Sequence, residues 1–425
     1  MAKAAMRQVV AAARRRPLVA LVAVLAVVAS VVVVVRVLKP ADVDTVARDP
    51  YPAAPAPTAG VIARLPVAPL VVDGRLRVYA GTRQVYADQP VTGRHRVTPF
   101  WSYRRWPAKL VGVLAQDTTV VSRWSDGKLV ALDARTGRVT WQADGPEPGA
   151  VQQPRRTYAT TVWDPAGLHV ARTADGRTVL LAAGPAGIGG YALTDGRRLW
   201  RAEVRRDCRA DVGTTASGEL VGVDRCDGTA AIELRNAATG AVRTRWRPPD
   251  APAQLTVTPV GCRYGHSGCR GLRTAGPGGE GSRGWLVADP GDPTAASGLD
   301  GPDTALDGER VVDTSGGVVT GRSPRSGEEL WRRSDLHPAR VLATEPGRVH
   351  LLTDRRELVT VDPITGATRS RFVLDLGRDG IGWLPGRAFA VDGYVTVERL
   401  REDARPADDD QGYFLMAEPV LLAAT

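Results

Sequence analysis

Residues 128 to 141, KLVALDARTGRVTW, set a pattern that returns at intervals to the C-terminus, and a chain of repeated hairpins buries its apolar faces only by stacking them on one another. From Lys128 to Ala134 the residues alternate, with Leu129, Ala131 and Asp133 on one parity and Val130 and Leu132 on the other, the period of a half-buried strand. Thr136-Gly137 breaks the run. Gly137 can take the positive φ of a tight turn, Asp133 can accept from the turn's N–H groups, and a second strand runs from Arg138 to Trp141.

The same grammar recurs as GYALTDGRRLW (190 to 200), ELRNAATGAVRTRW (233 to 246), GRSPRSGEELW (321 to 331) and LVTVDPITGATRSRF (358 to 372). The closing aromatic lies four residues after the glycine at Trp141, Trp200 and Trp331 and six after it at Trp246 and Phe372. Both offsets are even, so each ring falls on the same strand face. Two weaker copies, VYADQPVTG (85 to 93) leading to Trp101 and WLVADPGD (285 to 292), fill the gaps. The mean spacing of roughly 45 residues is that of a four-stranded propeller blade. Units fall at 61–104, 108–143, 158–203, 208–248, 253–299, 303–334, 339–374 and 381–425. That predicts eight blades, or seven if the first and last units merge by joining strands from both ends of the chain.

The xALDAxTGxxxW grammar at 131–141, 192–200, 323–331 and 361–372 resembles the PQQ-like β-propeller repeat, whose family includes quinoprotein dehydrogenases and BamB-type outer-membrane assembly lipoproteins. The resemblance covers roughly residues 61–425 and implies an all-β propeller, eight blades favoured. It further implies that Trp101, Trp141, Trp200, Trp246, Trp331 and Phe372 pack between neighbouring blades, docked on a turn of the next blade. One scaffold hosts both enzymes and interaction platforms, so the resemblance leaves the function open.

For the quinoprotein branch it would imply adjacent cysteines over the quinone in many members, a calcium or lanthanide ion held by acidic and amide side chains, and an aspartate base. This chain has no adjacent cysteines and no CxxCH haem motif. The run Asp408-Asp409-Asp410 lacks the alternating ligand spacing of a calcium loop. No GxSxG elbow, HExxH pair or phosphate loop occurs, and the five histidines are scattered. No catalytic residue, metal ligand or cofactor is expected.

The net charge of +10 is concentrated at the start. Residues 1–48 carry eight basic and two acidic side chains, and the rest of the chain carries only +4. With no basic stripe interleaved with aromatics, nucleic acid is excluded as a partner.

Leu18 to Val35 is uncharged and rich in Val, Ala and Leu, and the run extends through Arg36 to Leu38. As a helix, 18–38 would be about 31 Å long, enough for the hydrocarbon core. Lys3, Arg7 and Arg14 to Arg16 hold residues 1–17 in the cytoplasm by the positive-inside rule. A cleaved signal peptide is the competing reading, but the run is long and Thr45-Val46-Ala47 is a distant cleavage site. No cysteine near the run offers a lipid anchor. Residues 39–60, rich in Pro and Ala, read as an extended spacer.

Cys208, Cys226, Cys262 and Cys269 are even in number and lie on the outer side of the predicted span. Locality favours Cys208–Cys226 and Cys262–Cys269 among three possible connectivities. His266, inside CRYGHSGC, lacks the further ligands a zinc site needs. The glycine-rich stretch 271–284 and the stretch 401–412 are expected to be mobile loops. The functional expectation is a single-pass membrane protein whose extracytoplasmic propeller is a non-catalytic platform for cell-envelope proteins. A quinone- or small-molecule-dependent enzyme or sensor is the alternative, marked by acidic and amide side chains around the central channel, whereas a loop-plugged channel would mark a platform.

Overall fold

The alternating segments form four-stranded antiparallel sheets because each strand can bury one or both faces only against the next sheet. A computed structural model describes residues 21, 23–33, 41–95, 98–149, 154–204, 208–249, 251–252, 254–287, 291–336, 338–375, 382–403, 405 and 407–425. There are eight blades. Blade two is typical, running outward from the channel through Leu110–Gln116, Thr119–Trp124, Lys128–Asp133 and Val139–Asp144. Its third strand is buried along its middle, since the two neighbouring blades cover both faces, and its outer strand is mostly exposed.

The ring closes by mixing the two ends of the chain. Blade eight takes Trp383–Val391, Tyr394–Arg401 and Val420–Ala424 from the C-terminal end and Gly60–Leu65 from the other, with Gly60 opposite Ala424 and Leu65 opposite Val420. Shared closure and a count of eight therefore coexist. The predicted first unit, 61–104, loses its opening strand to blade eight, and blade one starts at Leu70–Val72.

Blade one has five strands rather than four. Ala41–Thr45 pairs antiparallel with the outer strand Trp101–Trp106, Ala41 opposite Trp106 and Thr45 opposite Ser102. From there the chain crosses the ends of the blades, where Ala47 N donates to Thr136 O and Tyr51 Oη to Asp73 Oδ2. Ala47 and Tyr51 pack on the largest core cluster. The stretch read as a spacer is therefore built into the propeller from residue 41. Its prolines forbid helix but not an edge strand or an extended strap.

The glycine-rich stretch 271–284 forms the hairpin between Gly271–Ala275 and Arg283–Leu286 rather than a mobile loop. The acidic run in 401–412 is likewise ordered: Asp409 caps a helical turn, Asp410–Tyr413, and the Asp410 carboxylate accepts from Arg156 N.

Of the expected span 18–38, residues 21 and 23–33 are helical, and 18–20, 22 and 34–38 lie outside the described residues, as does the tail 1–17. Among the described residues no helix is long and apolar enough to cross a membrane.

Candidate functional site

The contacts between blades are set by the repeated turn. In blade two, Asp133 Oδ1 accepts from Arg135 N at 3.0 Å, and Gly137, at φ 72°, donates to Asp133 O at 2.7 Å. A carbonyl just inside each such turn is left pointing at the preceding blade, where an indole N–H satisfies it. Trp101 Nε1 donates to Ala134 O at 2.7 Å, Trp141 to Leu193 O at 2.8 Å, Trp200 to Ala237 O at 2.7 Å and Trp331 to Pro363 O at 3.0 Å. Each ring lies on the glycine of the turn it meets. A Cβ on Gly196 would fall 2.5 Å from Trp141 Cε3, so this glycine answers both to its φ of 70° and to the indole.

Two aromatics of the set behave differently, each for a physical reason. Trp246 meets Trp285 of blade five edge to face, with centroids 4.7 Å apart, beside an outer strand that is only Thr294–Ala295. Phe372 packs on the apolar cluster of blade eight. That blade closes with the N-terminal strand instead of a hairpin, so no turn carbonyl awaits an N–H, and a phenyl ring suffices.

The channel is where chemistry could gather, and the chain itself occupies much of it. Residues 154–165, between blades two and three, enter from one face. Tyr158, at φ 58°, opens a helical turn at Ala159–Val162. Thr157 O accepts from Ala68 N at 2.8 Å, and Trp163 Nε1 donates to Pro69 O at 2.8 Å. The Trp163 ring stacks on Phe389 of blade eight, centroids 6.2 Å apart and 5° from parallel.

From blade five comes the loop closed by the Cys262–Cys269 disulfide. His266 O accepts from Thr214 N, Ser267 Oγ accepts from Val170 N, and His266 Nδ1 lies 2.9 Å from Asp164 Oδ1. The two insertions thus meet across the channel, with Gly265 against Trp163 O.

A cavity of about 140 Å³ remains beside them. Its walls are apolar, from Leu70, Val113, Leu168 and Val391 of the inner strands, and its margin carries Asp73, Asp117 and Asp392 in the turns that end those strands. Burial raises the Asp392 pKa, and the nearby Glu345, Asp73 and Asp117 charges add to the rise, although Gly74 N donates to its carboxylate. Burial also works against the Asp164 carboxylate, but the His266 hydrogen bond and the Arg387 charge hold it below the usual range. His169, on the cavity wall, is pushed down to about 4 by burial and then by His266, and its Nε2 has no hydrogen-bond partner among the described residues.

These groups do not fit a quinone cofactor. Trp163 and Phe389 stack on each other rather than framing a slot, and the cavity holds no adjacent cysteine pair. Among the described residues, only Cys208, Asp224 and Cys226 bring three metal-ligating atoms together, and those sulfurs are joined in the second disulfide. Of the channel residues the sequence singled out only His266, whose Nδ1 faces Asp164 Oδ1, and the Cys262 and Cys269 that close its loop. The one signal available was that TYATTVWD (157–164) breaks the strand alternation between two blades.

The family model described as "Outer membrane protein assembly factor BamB" matches residues 34–221. No curated protein matches the sequence. Among solved structures, BamB from Moraxella catarrhalis is similar at 15% identity with a TM-score of 0.45, covering 86% of this chain and 98% of that one. The C-terminal WD40 domain of Sif2 is similar at 10% identity and a TM-score of 0.48, with the same coverage. The quinohemoprotein alcohol dehydrogenase from Comamonas testosteroni is similar at 14% identity and a TM-score of 0.37, covering 80% of this chain and 71% of that one. The chain is therefore an eight-bladed β-propeller that, over residues 34–221, matches the family model of the outer-membrane assembly factor BamB.

Proposed function

We propose that this chain is a single-pass membrane protein, with residues 1–17 cytoplasmic and 18–38 spanning the bilayer, whose extracytoplasmic propeller is a non-catalytic platform for other cell-envelope proteins. The observation that carries the reading is that the chain's own insertions meet across the channel and occupy much of it, which leaves the two faces and the outer edges as the broad usable surface. The match to a BamB-type assembly factor supports it, and so do two disulfides, which persist on the oxidising side of a membrane. Rigid blades with independently variable turns suit protein recognition, and exposed outer strands can accept a partner's strand.

Cross-linking of the full chain in its native membrane, read by mass spectrometry, is expected to recover envelope proteins joined to face loops. Calorimetric titration of the detergent-solubilised chain with pyrroloquinoline quinone in calcium buffer is expected to give no heat. Saturable one-to-one binding would overturn the non-catalytic reading. A small-molecule sensor is the second reading, favoured by the cavity and by the unpartnered His169 Nε2 that lines it. A ligand-dependent rise in melting temperature that His169→Leu abolishes would support the sensor over the platform.

A further inference from the structure

The fifth strand of blade one ties the propeller's orientation to the apolar segment. Only Lys39 and Pro40 separate Leu38, the last residue of the apolar run, from Ala41, and Ala41 is paired with Trp106. Three Cα steps reach at most about 11 Å, and the strand spacing adds about 5 Å. Trp106 therefore lies within about 16 Å of the end of that run.

Trp106 is more exposed than the docking tryptophans. Trp101, at the other end of the same strand, is wholly buried, whereas Trp106 is 42% exposed. The Arg83 guanidinium lies 4.0 Å from its ring centroid, and Arg83 Nε donates to Pro107 O at 3.2 Å. Arg104 and Lys109 are exposed nearby, Arg104 bonding to Gln84 Oε1. Of the acidic groups on the same corner, Asp42 and Asp126 both face Arg105, at 3.8 and 2.8 Å, and Asp44 sits further along the edge strand opposite Tyr103. The corner is left with a surplus of positive charge around a half-exposed indole. An amphipathic ring beside cations is the combination favoured at the depth of lipid headgroups, where the indole gains apolar contact and the cations meet phosphates.

We propose that Trp106 and Arg83, at the corner of blade one, rest in the headgroup layer and fix the propeller's tilt on the membrane. The inference rests on the reading of 18–38 as a span. It sets a direction: Leu76–Gly81 runs from the Asp73 turn to the Arg83 turn, so the cavity margin carrying Asp73, Asp117 and Asp392 faces away from the bilayer. Partners would then reach the acidic face from the aqueous side.

Because all four native cysteines are bonded in pairs, an added one can be labelled selectively. The full chain, carrying Trp106→Cys or Lys109→Cys at the corner or Arg135→Cys at the exposed turn on the far face, would be labelled with a fluorophore and reconstituted into phosphatidylcholine–phosphatidylglycerol vesicles. Quenching by headgroup-spin-labelled lipid is expected to be at least about twofold greater at 106 and 109 than at 135, a blade length of roughly 20 Å away. Equal or absent quenching at all three sites, with the protein still floating with the vesicles, would overturn the docking and leave the span intact. Failure to float would remove the span itself.

Discussion

Substituting Trp141 and Gly196 separately and together separates blade docking from ordinary burial. Trp141 is 7% exposed and donates to Leu193 O at 2.8 Å, so Trp141→Ala removes a buried indole and strands a carbonyl, at a cost of about 3 to 5 kcal/mol. Gly196→Ala has two separable costs. Left-handed backbone, here φ 70°, penalises a Cβ by about 1 to 2 kcal/mol. The new methyl would also stand 2.5 Å from Trp141 Cε3, forcing the ring off its seat for about 1 to 3 kcal/mol more. With Trp141 already alanine the second cost vanishes. The double variant should therefore be more stable than the sum of the single losses predicts, by about 1 to 3 kcal/mol. Urea unfolding midpoints at unchanged slope give the three values. Trp141→Phe, which keeps an aromatic ring but loses the N–H and part of the indole's volume, should cost less than the alanine variant, about 1 to 3 kcal/mol. Additivity within about 0.5 kcal/mol would refute the reasoning, because it would mean that the indole does not sit on the turn.

The pH response should report His169. Its folded pKa of about 4 lies below the unfolded value of about 6.5, so the unfolded state binds the proton first and stability falls as pH drops through that window, by up to about 3 kcal/mol. His169→Asn should flatten this part of the stability profile, and an unchanged profile would contradict burial of a neutral imidazole. Arg123 is buried and donates to the carbonyls of Pro146, Ala166, Gly167 and Ala183, and burial lowers its pKa to about 10. Arg123→Met removes its hydrogen bonds to those four carbonyls, of which Gly167 O keeps the bond from Ala183 N, and should cost about 3 to 5 kcal/mol in a denaturant melt. Thiol titration of the denatured, unreduced protein should find no free thiol. Reduction should lower the melting temperature, the Cys208–Cys226 loop, with its separation of 18, accounting for about 3 kcal/mol.

What could be read in advance was local. Hairpin alternation, the Asp and Gly of the turns and the even-offset aromatics are written within about fifteen residues of one another, and they lead to the blades and to the tryptophans that join them. Gly60–Leu65 in blade eight was foreseen only as one of two ways to close the ring, and Ala41–Thr45 on blade one not at all, for the opposite reason. Their partners lie far along the chain, and an edge strand exposed on one side carries little apolar pattern of its own. The glycines of 271–284 suggested mobility because a hairpin with an open glycine turn has the composition of a loop. The channel was illegible because Trp163, Phe389, Asp164 and His266 come from three separate parts of the ring, and only closure brings them together.

The pairing of Gly60–Leu65 with Val420–Ala424 also dictates an order of events. The two strands are separated by roughly 360 residues, so this contact forms only after the rest of the propeller has emerged, and loop closure over that length is slow. Until the final five-residue strand arrives, Tyr394–Arg401 has no outer partner, and Gly60–Leu65 waits with its hydrogen-bonding edge bare. During synthesis the open ring is therefore the species most exposed to misassembly with another copy. A chaperone that shields strand edges would act on it before the last residues are out.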